Sequence, residues 1–118
     1  MAIEDEKAYM ELHDRMLESS QALYKINTQE RLKQKFKLRS ELMLAELTAM
    51  PDDVRSYKSV GKAYFLVPKS EVMTEAETEI SSLGTELKSL QAQRGIVQQK
   101  VKEAENEILE LRRQSQKV

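Results

Sequence analysis

The sequence predicts an all-α-dominated fold: a long antiparallel coiled-coil hairpin of two helices, interrupted at its fold-back by a central β-hairpin. Three observations predict it. Residues 3–47 and 70–114 contain no proline and carry apolar residues at alternating spacings of three and four. Between them, residues 54–67 gather β-branched and aromatic side chains around Gly61, with Pro51 and Pro68 just outside. Finally, 33% of the 118 residues are charged and only 5% are aromatic, the composition of long helices rather than of a globular core. All 118 residues are expected to form one domain: an N-terminal helix over 3–50, a hairpin over 54–67 and a C-terminal helix over 70–114.

The first helix opens with Glu4, Asp5 and Glu6, whose charges suit the positive end of a helix dipole. Tyr9, Leu12, Met16, Ser19, Leu23 and Ile26 form an a/d seam with one polar gap at Ser19. Continued in register, the seam turns polar at Glu30, Lys33, Lys37 and Ser40 before Leu44 and Leu47 restore it. Leu32, Phe36, Leu38, Leu42 and Met43 lie off the seam, so the segment 36–47 is apolar almost all round and is expected to enter a multi-subunit body. Pro51 ends the helix, because it drives Met50 out of the α region.

Two strands are expected next, about 54–59 and 62–67, folded over a turn in which Gly61 adopts positive φ. Pro68 has no N–H to donate and closes the second strand. Ala63, Phe65 and Val67 point to one face of that strand, Tyr64 and Leu66 to the other. A two-stranded hairpin is marginal alone, and one apolar on both faces calls for cover. Val54, Tyr57, Val60, Gly61, Ala63, Tyr64, Phe65, Leu66 and Val67 are therefore the candidate assembly residues, with other chains supplying the rest of the sheet.

The second helix is expected to start at Ser70 as N-cap, with Glu71 and Glu75 near its positive end. Its seam holds one register throughout: Met73, Ile80, Leu87, Arg94, Val101, Ile108 and Ser115 at a, and Ala76, Leu83, Leu90, Val97, Ala104, Leu111 and Val118 at d. Arg94 is the exception among these, a register device or a snorkelling side chain. An antiparallel match pairs Leu44 with Ala76, Leu23 with Val97, Met16 with Ala104 and Tyr9 with Leu111, so that facing residue numbers add to 120. The midpoint of the 54–67 hairpin gives nearly the same sum.

Several functions are excluded or disfavoured. The chain has no cysteine, and its formal charge of −1 gives no pull toward nucleic acid or an anionic membrane. His13, at an e position, is a surface histidine. Asp52 and Asp53 belong to a turn started by Pro51, and metal-ligand spacings and phosphate-binding glycine motifs are absent. No enzyme activity, cofactor or metal is expected. The acidic N-terminus has no apolar signal region, and no apolar run reaches the ~18 residues of a membrane span, so a cytoplasmic protein is expected. Arg31, Lys33, Lys35, Lys37 and Arg39 place a basic residue at every second position, which distributes them around the helix as a collar. Binding of nucleic acid through that collar, or a role as a coiled-coil adaptor or tether, are the alternatives to the reading that follows.

Helix, β-hairpin and helix in this order resemble a β-type subunit of the prefoldin family. The most specific stretch is Tyr57-Lys58-Ser59-Val60-Gly61-Lys62-Ala63-Tyr64-Phe65-Leu66-Val67, similar to the family's Tyr-x-x-Val-Gly turn and aromatic-aliphatic strand; Lys69 and Glu71 also fit. Pro68, directly after the second strand, departs from the pattern. The resemblance implies a heterohexamer of this chain with two α-type and three further β-type subunits, joined through hairpin barrels. It also implies ATP-independent capture of unfolded clients such as actin and tubulin for delivery to the cytosolic chaperonin. Leu12, Met16, Leu23, Ile26, Leu83, Leu87, Leu90, Val97, Val101, Ala104 and Ile108 would hold the coiled coil. Ile3, Tyr9, Met10, Leu12, Ile108, Leu109, Leu111 and Val118, at or beside the fraying seam ends, would meet clients.

Overall fold

A computed structural model describes residues 3–116. The order is α1 (Ile3–Ala49), β1 (Ser56–Val60), β2 (Ala63–Val67) and α2 (Lys69–Gln116). The helices have 47 and 48 residues, and the expected helix–β-hairpin–helix plan is the one found. Contacts divide the chain into two units: a terminal unit of residues 1–30 and 89–118, and a hairpin unit of residues 31–88.

In the hairpin unit, α1 stops at Ala49, and the Met50 N–H bonds the Leu47 carbonyl at 3.2 Å. Pro51 then starts a turn closed by the Val54 N–H on its carbonyl, also 3.2 Å. That turn uses Val54, the residue expected to begin the first strand. β1 therefore opens at Ser56, two residues late, and Val54 lies half-buried outside the sheet. The strands pair antiparallel, Ser56 with Val67 through to Val60 with Ala63, across a two-residue turn. Gly61 has a φ of +62° and no non-glycine residue has positive φ among the described residues, so the sign pattern is that of a type II′ turn, which matches the twist of the strands it joins.

α2 also begins differently from expectation. The Pro68 carbonyl accepts the Glu71 and Val72 N–H groups at 3.1 and 3.3 Å, which starts the helix at Lys69. Ser70 sits inside the first turn, where its carbonyl accepts the Thr74 hydroxyl, and is not the cap. Lys69 has a task that the sequence pattern does not disclose. No basic residue occupies the last turn of α1. Instead the Lys69 ammonium, on a side chain only 9% exposed, donates to the Met50 carbonyl at 2.7 Å and lies 3.5 Å from the Asp52 carboxylate. One cation thus closes the end of one helix from the start of the other, where the dipole favours positive charge.

In the terminal unit, Leu12, Ala104 and Ile108 form a buried cluster with Tyr9, Met16 and Leu111 packed against it. All six are seam positions, three from each helix, that the antiparallel match brings together. The Arg112 guanidinium donates to the Tyr9 hydroxyl at 3.0 Å and lies over its ring, 5.9 Å from the centroid.

Candidate functional site

Alternation along the strands sorts the hairpin side chains onto two faces. One carries Lys58, Val60, Ala63, Phe65 and Val67; the other carries Tyr57, Ser59, Tyr64 and Leu66. Val67 is half-buried, but Tyr57, Val60, Tyr64, Phe65 and Leu66 are each more than half exposed. Lys58 reaches Glu75 of α2 at 3.4 Å, a solvated pair. Neither face is covered within the chain, and both outer strand edges are unpaired among the described residues. Leu32, Phe36, Leu38, Leu42 and Met43 of α1 add further exposed apolar surface to the same unit. Apolar surface of this extent, on a sheet of two strands, marks an interface rather than a core.

The seam follows its heptad positions on both helices. Leu12, Ile26, Leu87, Leu90, Ala104 and Ile108 are buried; Met16, Leu23, Leu83, Val97 and Val101 are half-buried. Its polar stretch is answered across the pair. In the terminal unit Arg94 forms an ion pair with Glu30 and donates from Nε to the Asn27 side-chain oxygen at 3.2 Å. In the hairpin unit Lys33 meets Glu86 at 2.9 Å, and Ser40 is 3% exposed. Arg94→Ala leaves the half-buried Glu30 carboxylate without that guanidinium, at an expected cost of about 1–3 kcal/mol. Removing both side chains together should restore part of the loss, and chemical denaturation of the two variants checks this.

The expected client-binding residues divide. Leu12 and Ile108 lie in the core, and Tyr9 and Leu111 pack half-buried against them. Met10 is 66% exposed and Leu109 is exposed as well. Val118 and the Ile3 side chain lie outside the described residues and side chains. Leu17, Tyr24 and Ile96 are exposed too: Met10, Leu17 and Tyr24 recur every seven residues, at the b position, and Leu109 is a b residue of α2. That heptad spacing was the signal available for Tyr24, which the sequence reading did not single out. Among the described residues there is no group of His, Cys, Asp or Glu able to hold a metal ion, and no helix long and apolar enough to cross a membrane.

These features define a helix–β-hairpin–helix chain whose two-stranded sheet exposes apolar side chains on both faces. The family model for prefoldin subunit matches residues 5–115, and the chain belongs to the prefoldin family. It is 32% identical over 107 residues to prefoldin subunit 1 of Arabidopsis thaliana, covering 91% of this chain and 84% of that one. It is 30% identical over 82 residues to prefoldin subunit beta of Pyrococcus abyssi, covering 65% and 70% respectively. The crystal structure of the prefoldin beta subunit from Thermococcus strain KS-1 superposes with a TM-score of 0.79 over 86% of this chain and 89% of that chain, at 24% identity, which shows a shared fold. The resemblance is to β-type chains, in agreement with a single β-hairpin between the helices.

Proposed function

We propose that this chain is one β-type member of a cytosolic heterohexamer, with two α-type and three further β-type subunits, that holds unfolded polypeptides without ATP and passes them to the cytosolic chaperonin. The observation that carries the reading is the hairpin, apolar on both faces and uncovered on both. A sheet of two strands in that state gains its stability from strands of neighbouring subunits. Assembly then sets the exposed Met10, Leu17, Tyr24 and Leu109 surface beside the arms of the other subunits, and weak single contacts become retention through avidity. Methionine and flexible aliphatic side chains suit clients of no fixed sequence.

The test is light scattering from a chemically denatured protein diluted into the assembled complex. The intact complex should suppress aggregation. With Met10, Leu17 and Leu109 all changed to serine, assembly should persist, because none of the three lies in the hairpin, while suppression should need at least about twice as much complex. Absence of suppression by the unmodified complex would remove the holding activity from consideration.

A further inference from the structure

The terminal unit has a second surface, which the apolar residues at b do not use. On the side of the helix pair carrying the g and c positions, a groove of about 480 Å³ runs between α1 and α2, floored by Ser19, Ala22, Val97 and Ala104. A neighbouring depression of about 300 Å³ shares Arg15 and Glu107 with it and is floored by Ala8, Leu12 and Leu111. The small residues Ala8, Ser19, Ala22 and Ala104 open this trough, because on a seam of larger side chains the floor would fill.

Its walls are charged, and unevenly so. Glu11, Glu18, Glu103, Glu107 and Glu110 line the two depressions against only Arg15 and Lys100. None of these five carboxylates takes part in an ion pair among the described residues, although Gln99 donates to Glu103 at 3.3 Å. A narrow apolar floor between carboxylate walls favours one kind of occupant. A strongly acidic segment is repelled, whereas an apolar segment with interspersed lysine or arginine places its side chains on the floor and its cations against the walls.

We propose that this groove is a client subsite selective for cationic-apolar segments of unfolded chains. It rests on the holding activity proposed above and gives that activity a preference: nascent segments rich in lysine or arginine and in aliphatic residues are retained longer than equally apolar acidic ones. The exposed Met10, Leu17 and Leu109 surface supplies affinity without regard to charge, and the groove supplies the discrimination.

The test uses the assembled complex and two photo-crosslinking peptides of equal length with identical leucine positions, one carrying lysine and the other glutamate between them. The reading is crosslink yield on this chain. The lysine peptide should label it about tenfold more than the glutamate peptide at low salt, with labelled residues within 8–22 and 97–111, and the ratio should fall as salt is raised. Changing Glu18, Glu103 and Glu107 together to glutamine, which keeps an acceptor for Gln99, should bring the ratio close to one without reducing glutamate-peptide labelling. Equal labelling of the unmodified complex by both peptides, or a ratio unchanged in the glutamine variant, overturns the groove while leaving client holding intact. Labelling by neither peptide, together with undiminished scattering, overturns both.

Discussion

Phe65→Asp should leave the isolated chain folded and abolish its entry into the complex. Phe65 is 55% exposed within the chain, so a charge there costs the free subunit little, and its circular dichroism should remain that of two long helices. In an assembled sheet the same carboxylate would be buried without a partner, at several kcal/mol. Association should weaken by a thousandfold or more, equivalent to about 4 kcal/mol. Sedimentation of the variant mixed with partner subunits is the measurement, and Lys62→Asp at the hairpin turn is the matched control for added charge. If Phe65→Asp sediments with the partners as the unmodified chain does, the hairpin is not the assembly surface.

The second large effect is expected at Leu12. It is 5% exposed and packs in a single layer with Ala104, Ile108 and their neighbours. Leu12→Ala should cost about 2–3 kcal/mol, the lower part of the range for such truncations, because two helices can close part of the cavity more easily than a globular core can. The loss should stay local. Amide protection at residues 9–19 and 101–112 should fall by about a hundredfold in the assembled complex, while the amides of β1 and β2 keep theirs. Leu17→Ala, at an exposed position one turn and a half further on, should change neither.

Much of this was legible because a heptad seam is a local code: each residue's place follows from its neighbours, and the antiparallel match then follows from a short connection. The positive φ of Gly61 was legible for the same reason, since a two-residue turn between strands leaves few options. The rest depended on side chains reaching across the chain. Lys69 on the Met50 carbonyl could not be inferred from helix propensity, and the Pro51–Val54 turn consumed Val54, which suited a strand. The residues expected to meet clients were chosen by closeness to the termini, whereas exposure follows heptad position. Leu12 and Ile108 are d and a residues and are buried, whereas Met10 and Leu109 are b residues and are not. The groove was missed because it is formed by small residues on two helices, none notable by itself.

The Glu30–Arg94 pair bears on a problem that arises only where several related chains are made together. Apolar seam residues are nearly interchangeable, so a slip of one heptad, or a helix borrowed from another subunit, would bury Leu90 and Val97 almost as well. Arg94 is less tolerant. One heptad in one direction sets it against Leu23, and one in the other against Lys37; the same slips set Glu86 against Ile26 or Ser40. Each error strands a charge in the seam or places like charges together. The ion pairs therefore act as an address, by which the two helices of this chain find their own alignment.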